Sequence, residues 1–271
     1  MAKRVIMVGN YKGGSGKSQT SLEMAYWLAR HQQRVLLADL DHQANSTKVL
    51  SKDTPTGKRT LPEILIEGDV ITHDDIASRS IGIDDLHIDF VSSGIAAGRL
   101  EKKLPDDTPK EYVLKDALAE IENDYDYIIL DTPPTAELIS TCALIASDSL
   151  LITSQASYFS AEGVNEMMQV IKRVKKHPRM NPGLEVLGIL ITMYEATKDS
   201  RLVVTNLKKS YGKLVISPVI RKCTKVKESN RFYLPVQSYA PSSTSSLDYN
   251  GIFQSILGKE LNLYSPTTLI Y

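Results

Sequence analysis

The chain of 271 residues carries 32 basic and 32 acidic side chains, 42% hydrophobic residues, 7% aromatics and only two cysteines. That apolar fraction and zero net charge exclude a disordered chain, and Cys142 and Cys223, far apart in sequence, exclude a disulfide-built domain and a paired-cysteine zinc or iron–sulfur site. No apolar run approaches the roughly 20 residues that span a bilayer, and the early run Val5–Val8 is too short for a signal-peptide core.

Short apolar runs alternate with longer segments of helical period. Arg4–Gly9 reads as a buried strand, Lys17–Arg30 as a helix and Arg34–Ala38 as a second strand. Ser51–Asp107 is acidic and weakly periodic apart from apolar runs at Leu61–Ile66 and Ile88–Val91. A helix over Glu111–Glu122, a strand at Tyr127–Leu130, a helix over Glu137–Ala146 and a strand at Ser149–Thr153 follow. Then come a helix over Ala161–Lys176, a strand at Val186–Thr192, a helix over Ser200–Tyr211 and a short strand at Leu214–Ile216. Ser242–Ser246, after Pro241, reads as a surface loop. The alternation implies an α/β fold, with one domain over residues 1–271 built on a mostly parallel twisted sheet covered by helices on both faces.

The first strand runs into Asn10–Ser18, N-Y-K-G-G-S-G-K-S, and then directly into an amphipathic helix. Glycines at 13, 14 and 16 let successive N–H groups turn inward, and the helix N-terminus adds partial positive charge. Phosphates fit such a cradle: Gly13, Gly14, Ser15, Gly16, Lys17, Ser18 and Gln19 are the candidate nucleotide-binding residues, with Lys17 reaching the terminal phosphates and the Ser18 hydroxyl facing Mg²⁺. Tyr11 occupies the first glycine position of the strict P-loop pattern. Asp39 and Asp41 in L-L-A-D-L-D-H-Q, and Asp131 in Y-D-Y-I-I-L-D-T-P-P, stand at the C-terminal ends of predicted strands. Carboxylates there face the ligand crevice of a parallel sheet and suit holding Mg²⁺ or orienting water.

In combination, K-G-G-S-G-K-S, D-L-D-H-Q and I-I-L-D-T-P-P resemble the deviant Walker P-loop NTPases of the ParA/MinD family, over nearly the whole chain. Leu190–Thr197 and Gln155–Gly163 resemble the short ParA-type DNA-partition ATPases. The resemblance implies ATP and Mg²⁺ as cofactors and an ATP-dependent sandwich homodimer, in which Lys12 reaches the partner's nucleotide. It further implies that Lys12, Lys17 and Asp41 are catalytic, that Ser18, Asp39 and Asp131 support the metal, and that Asp131–Pro134 forms a switch sensing the γ-phosphate. Met193 and Arg221 are the implied base contacts. His42 stands where the family usually has proline, Ala44 where glycine is usual, and Ser18-Gln19 where Thr-Thr is usual.

Charge is segregated: Lys172–Arg231 holds 15 Lys or Arg against 4 acids, so the remainder is strongly acidic. This predicts a single cationic face for nonspecific double-stranded DNA, with Arg201, Lys222, Lys225 and Lys227 as candidate contacts, the last three by resemblance to partition ATPases. The resemblance implies a cytoplasmic enzyme, nucleoid-associated when ATP-bound, that moves plasmid or chromosome with a ParB-like centromere-binding adaptor. Ile252–Tyr271 carries Lys259 as its only cation, so no stable membrane association is expected. The competing expectation is a MinD-like positioning or regulatory switch that recruits a protein complex without a DNA track.

Overall fold

Seven strands form one sheet in the order β3-β4-β2-β5-β1-β6-β7. They are β1 (Arg4–Gly9), β2 (Val35–Asp39), β3 (Ala77–Ile81), β4 (Leu86–Val91), β5 (Tyr127–Asp131), β6 (Ser149–Gln155) and β7 (Glu185–Thr192). The computed structural model describes residues 4–82, 86–104, 109–135 and 138–261. All pairings are parallel except β3 with β4 at the edge. The described helices are α1 (Lys17–Arg30), α2 (Asn45–Leu50), α3 (Leu61–Glu67), α4 (Leu100–Lys103), α5 (Val113–Leu118), α6 (Leu138–Ala146), α7 (Tyr158–Lys176), α8 (Lys198–Tyr211), α9 (Thr224–Arg231), α10 (Val236–Tyr239) and α11 (Thr244–Leu257).

The central strands read as unbroken apolar runs because both their faces are buried. Met7, Leu36, Leu130 and Ile152 point to one face, against Ile64 of α3, Leu114 of α5, Leu144 of α6 and Met167 of α7. Their neighbours Ile6, Val8, Leu37, Ile129 and Leu151 point to the other, against Trp27 and Leu28 of α1, Val236 of α10 and Phe253 of α11. Two cores therefore flank one sheet, in which every strand but β3 ends at the same edge. The α/β class and the two-sided helical cover agree with expectation.

Several local expectations need correction. Leu214–Ile216 is not a strand: it makes a 3-10 turn at Gly212–Leu214 and one isolated bridge, Val215 with Ile189. Pro218, which has no N–H, stands between the two residues that bond β7, Ile216 and Ile220, so no ladder can continue. Of Ser242–Ser246, Thr244–Ser246 begin α11 rather than a loop, with the N-cap Ser243 Oγ accepting from Ser246 N and Ser245 buried. The acidic stretch after Ser51 contains α3, capped by Thr60 and Glu63, and the antiparallel edge strand β3. Period-2 alternation in A-S-R-S-I marks that strand, whose Ser78 and Ser80 are exposed. The expected helix over Glu111–Glu122 contracts to α5 between 3-10 turns. Glu137 lies outside the described residues, as do 83–85, 105–108 and 262–271 of the expected segments.

One buried acid joins the two ends of the chain. Glu23 of α1 accepts from Gln19 Nε2 (2.7 Å), Gln237 Nε2 (3.0 Å) and the backbone N–H groups of Val236 and Gln237. Burial pushes its carboxyl up from 4.5 to about 7, against these hydrogen bonds. A carboxyl with a raised folded-state value stabilises the fold fully below its ordinary range and loses that contribution as pH rises through the folded value. Urea unfolding of the nucleotide-free protein should therefore show a midpoint that falls between about pH 4.5 and pH 7. Glu23→Gln should make that slope shallower; an unchanged slope would remove Glu23 as its source.

Candidate functional site

β1 ends at Gly9 and α1 begins at Lys17, so residues 10–16 must turn within one short loop at the C-terminal edge of the sheet. Gly14 and Gly16 do so at φ +72° and +86°, in the left-handed region that favours glycine. The loop is fastened to its neighbours. Asn10 Nδ2 donates to Thr153 O (2.6 Å) and Asn10 Oδ1 accepts from Lys12 N (3.0 Å). Ser15 Oγ lies 3.1 Å from Thr153 Oγ1, and Thr192 Oγ1 donates to Ser15 O (2.8 Å). With these four polar side chains buried, the turn is preorganised at the N-terminus of α1, which is the chemistry of an anion cradle. Asn10, Thr153 and Thr192 were missed as site residues because their role is visible only when β1, β6 and β7 are side by side.

Lys17 is buried beside this loop and donates from Nζ to Lys12 O (3.2 Å). Desolvation lowers its pKa, opposed by the charges of Asp131 and Asp41. Asp39 and Asp131 end β2 and β5 and are direct partners in the parallel register. Asp39 accepts from Thr47 N (2.8 Å), Thr47 Oγ1 (2.8 Å) and Asp41 N (3.0 Å). Asp131 accepts from Ser46 Oγ (2.6 Å), Ser21 Oγ (3.4 Å) and the Ser18 hydroxyl. Burial first, and for Asp39 the charge of Asp131 next, holds both carboxyls above the ordinary range.

Asp41, buried one residue beyond Leu40, accepts from Gln43 N (2.9 Å), while Ala44 N bonds Asp41 O (2.8 Å). Ala44, at φ +51°, occupies the left-handed position ahead of α2. His42 Nδ1 lies 3.3 Å from Asp41 Oδ1, and its Nε2 lies 2.9 Å from Gln43 Nε2. A cleft of about 570 Å³ joins Gly13–Gln19 with Asp41, Gln43, Asn45, Lys48 and Pro134, and extends to Asn230 and Tyr233. Sequence reading missed the last two, which reach the cleft from the far end of the chain.

Lys12, exposed, directly precedes the cleft-lining Gly13. Its stem packs on Gly163 of α7, where an added Cβ would fall 3.3 Å from Lys12 Cβ and 2.6 Å from Asn10 Oδ1. The Lys12 ammonium lies 6.0 Å from the Phe159 ring centroid. Met193, at φ +50°, directly follows the loop-bonded Thr192. Beyond it a second depression of about 530 Å³ is lined by Tyr194, Glu195, Ala196, Arg221, Lys222 and Thr224. Arg221 is committed there to an ion pair with Asp248 (2.7 Å).

The cations do not form one face. Lys172–Lys176 and Lys208–Lys209 close α7 and α8, whereas Arg201 lies in the first turns of α8 and Lys225 and Lys227 lie in α9. Crossover helices begin at the cleft end of a parallel sheet and finish at the other, which splits the basic stretch between the two ends. Lys222 pairs with Glu195 (3.1 Å) and Lys225 with Glu228 (2.7 Å), Arg201 donates to Ala196 O (3.0 Å), and Lys227 is exposed.

A family model described as an AAA domain matches residues 3–186. The chain is 32% identical over 248 residues to the sporulation initiation inhibitor protein Soj of Bacillus subtilis, covering 91% of this chain and 95% of Soj. This chain belongs to the ParA/MinD family of ATPases. It is also 29% identical over 260 residues to the chromosome partitioning protein ParA of Caulobacter vibrioides, covering 95% of each. Among solved structures, cobyrinic acid a,c-diamide synthase from Mycobacterium smegmatis matches with a TM-score of 0.78 and 27% identity over 96% of each chain. That protein is bound to ADP and magnesium in one structure and to an ATP analogue and magnesium in another. The family fold is thus the one described above.

The donors present fit a family metal. Among the described residues, no three His, Cys, Asp or Glu side chains converge as a ready-made metal site. Two buried carboxylates and a serine hydroxyl beside a phosphate cradle instead suit a hard cation shared with phosphate oxygens. In the metal-free protein above about pH 8, where both carboxyls ionise, Asp131→Asn should raise the melting temperature by removing one of two adjacent charges, worth about 1 kcal/mol. Ser46 and Ser18 can rotate to accept from the new amide, whereas Asp39→Asn would face N–H donors on both oxygens and should destabilise. Thermal unfolding of the two variants checks this; equal effects would contradict the repulsion.

Proposed function

We propose that this chain is a ParA-type DNA-partition ATPase, a single ATPase domain over residues 1–271 in which two copies close around MgATP, bind duplex DNA without reading its sequence, and part on hydrolysis. The observation that carries this reading is that the phosphate cleft and the cations Arg201, Lys222, Lys225 and Lys227 lie at the same end of the sheet. Its similarity to Soj and ParA supports the partition role.

The backbone of Gly13–Gln19 cradles the phosphates and Lys17 reaches the terminal ones. Ser18, Asp39 and Asp131 would hold Mg²⁺, which when bound would supply positive charge against the phosphate oxygens. Asp41 orients the attacking water from the turn that fixes its carboxylate. Lys12, next to the cleft-lining Gly13 and held by Asn10 and Gly163, serves the partner copy's nucleotide and stabilises charge on the transferred group. Pro134, which lines the cleft, supports a γ-phosphate switch at Asp131–Pro134. Met193 and Arg221 flank the base. A ParB-like adaptor stimulates the slow turnover in the cytoplasm, so that hydrolysis releases DNA near the cargo. Among the described residues no helix is long and apolar enough to cross a membrane.

The test is binding to random-sequence duplex DNA with MgATP, with MgADP and without nucleotide, across a salt series. MgATP should give tight binding, and log affinity should fall with log salt at a slope of about −7 if the four cations act in both copies. Lys227→Glu should reduce the slope magnitude by about 2 without preventing ATP-driven dimerisation. Intact dimerisation with no DNA binding in any nucleotide state would leave the protein-recruiting switch instead.

A further inference from the structure

The cleft has a wall that the phosphate chemistry does not require. Asn230, the penultimate residue of the cationic helix α9, and Tyr233, just beyond it, line the same cleft as Lys17 and Asp41. They belong to a packed unit. Phe232 stacks on Tyr239 of α10 with ring centroids 5.2 Å apart, Tyr239 Oη donates to Glu228 Oε2 (3.3 Å), and Leu234 N bonds Ser229 O (3.1 Å). Ser229 is fully buried inside it. Tyr233 turns the chain at φ +55°, with Lys52 Nζ 5.7 Å from its ring centroid.

This unit is tied to α1 through a buried carboxylate. Glu23 holds Val236 and Gln237 at the start of α10, and Gln237 Nε2 also donates to Glu23 O (2.9 Å). The same carboxylate holds Gln19, which lines the cleft two residues after Lys17. No charged partner shares the burial of Glu23 among the hydrogen bonds described, so its position depends on those N–H donors. One acid therefore touches the floor of the cleft through Gln19 and its outer wall through α10.

We propose that Asn230 and Tyr233 are nucleotide-contacting residues of the outer wall, and that Glu23 is the positioning residue that holds this wall on α1, so that filling the cleft shifts the cationic helix α9. The inference rests on the cleft binding a nucleotide, as proposed above. It assigns the coupling between ATP and the DNA-facing cations to a direct contact at one end of α9, without a relay through the sheet. Lys225 and Lys227 lie within two turns of Asn230, so a small rotation about α10 displaces them.

Cys223, the residue preceding α9, supplies a natural probe: it is half-buried, whereas Cys142 is fully buried in the core. The experiment measures the rate of Cys223 modification by 5,5′-dithiobis(2-nitrobenzoic acid), with and without a saturating non-hydrolysable ATP analogue and Mg²⁺. Analogue binding is followed separately with a fluorescent derivative. The wild type should change its rate by about fivefold or more on saturation. Asn230→Ala, at an exposed position, and Glu23→Gln should bind the analogue at higher concentration yet lose most of that response. A saturated wild type with an unchanged rate, or an Asn230→Ala variant with the full response, would overturn the inference while leaving the nucleotide site standing. Absence of analogue binding to the wild type would overturn the nucleotide reading itself, and this inference with it.

Discussion

Asp39 and Asp131 are buried side by side at the ends of neighbouring parallel strands, and the cleft edge of the protein is organised around the cost of that arrangement. Adjacent carboxylates away from water repel and are poorly solvated, so the free protein surrounds them with Thr47, Ser46, Ser18 and Ser21 as donors and sets Lys17 nearby. These contacts make the pair tolerable without neutralising it. A divalent cation held by these carboxylates would relieve the repulsion, and the stability lost to the pair would then contribute to binding a metal–nucleotide complex. The fixed turn at Gly14–Gly16 matters for the same reason. It brings N–H groups and a lysine to the place where the two strand ends leave excess negative charge.

The parts of the fold legible in the sequence were those with long-range periodicity and a distinct loop chemistry. β1, α1 and β7 are near-continuous apolar or amphipathic segments bounded by clear breaks, and Asp39, Asp41 and Asp131 follow strands that end in carboxylates. Elements stabilised by tertiary contact were less visible. β3 is a five-residue edge strand carrying Arg79 among serines, α9 and α10 are short, and α11 begins in a serine run that looks like a loop until its Ser243 cap is seen. The cationic stretch is continuous in sequence but is divided in space by the return of each crossover helix. A count of charge along the chain cannot reveal that division.

The residues that fasten the glycine loop or reach the cleft from far along the chain were hidden for a different reason. Asn10, Thr153 and Thr192 are ordinary polar residues whose hydrogen bonds join strands distant in sequence, and Asn230 and Tyr233 come from a segment more than 200 residues beyond the glycine loop. Glu23 sits on the helix expected to be amphipathic, at a position where a buried acid makes sense only once Val236 and Gln237 are alongside. The first helix thus has two functions. Its N-terminus sits at the glycine loop, and its second turn anchors α10, which follows the cation-bearing helix α9.

The most direct measurement is calorimetric titration of a non-hydrolysable ATP analogue into the wild type and Lys17→Ala, each with and without Mg²⁺. If the carboxylate pair and the glycine loop form one metal–nucleotide site, Mg²⁺ should tighten wild-type binding by about a hundredfold, and Lys17→Ala should lose most of the affinity. Equal wild-type affinity with and without Mg²⁺, matched by Lys17→Ala, would contradict the account.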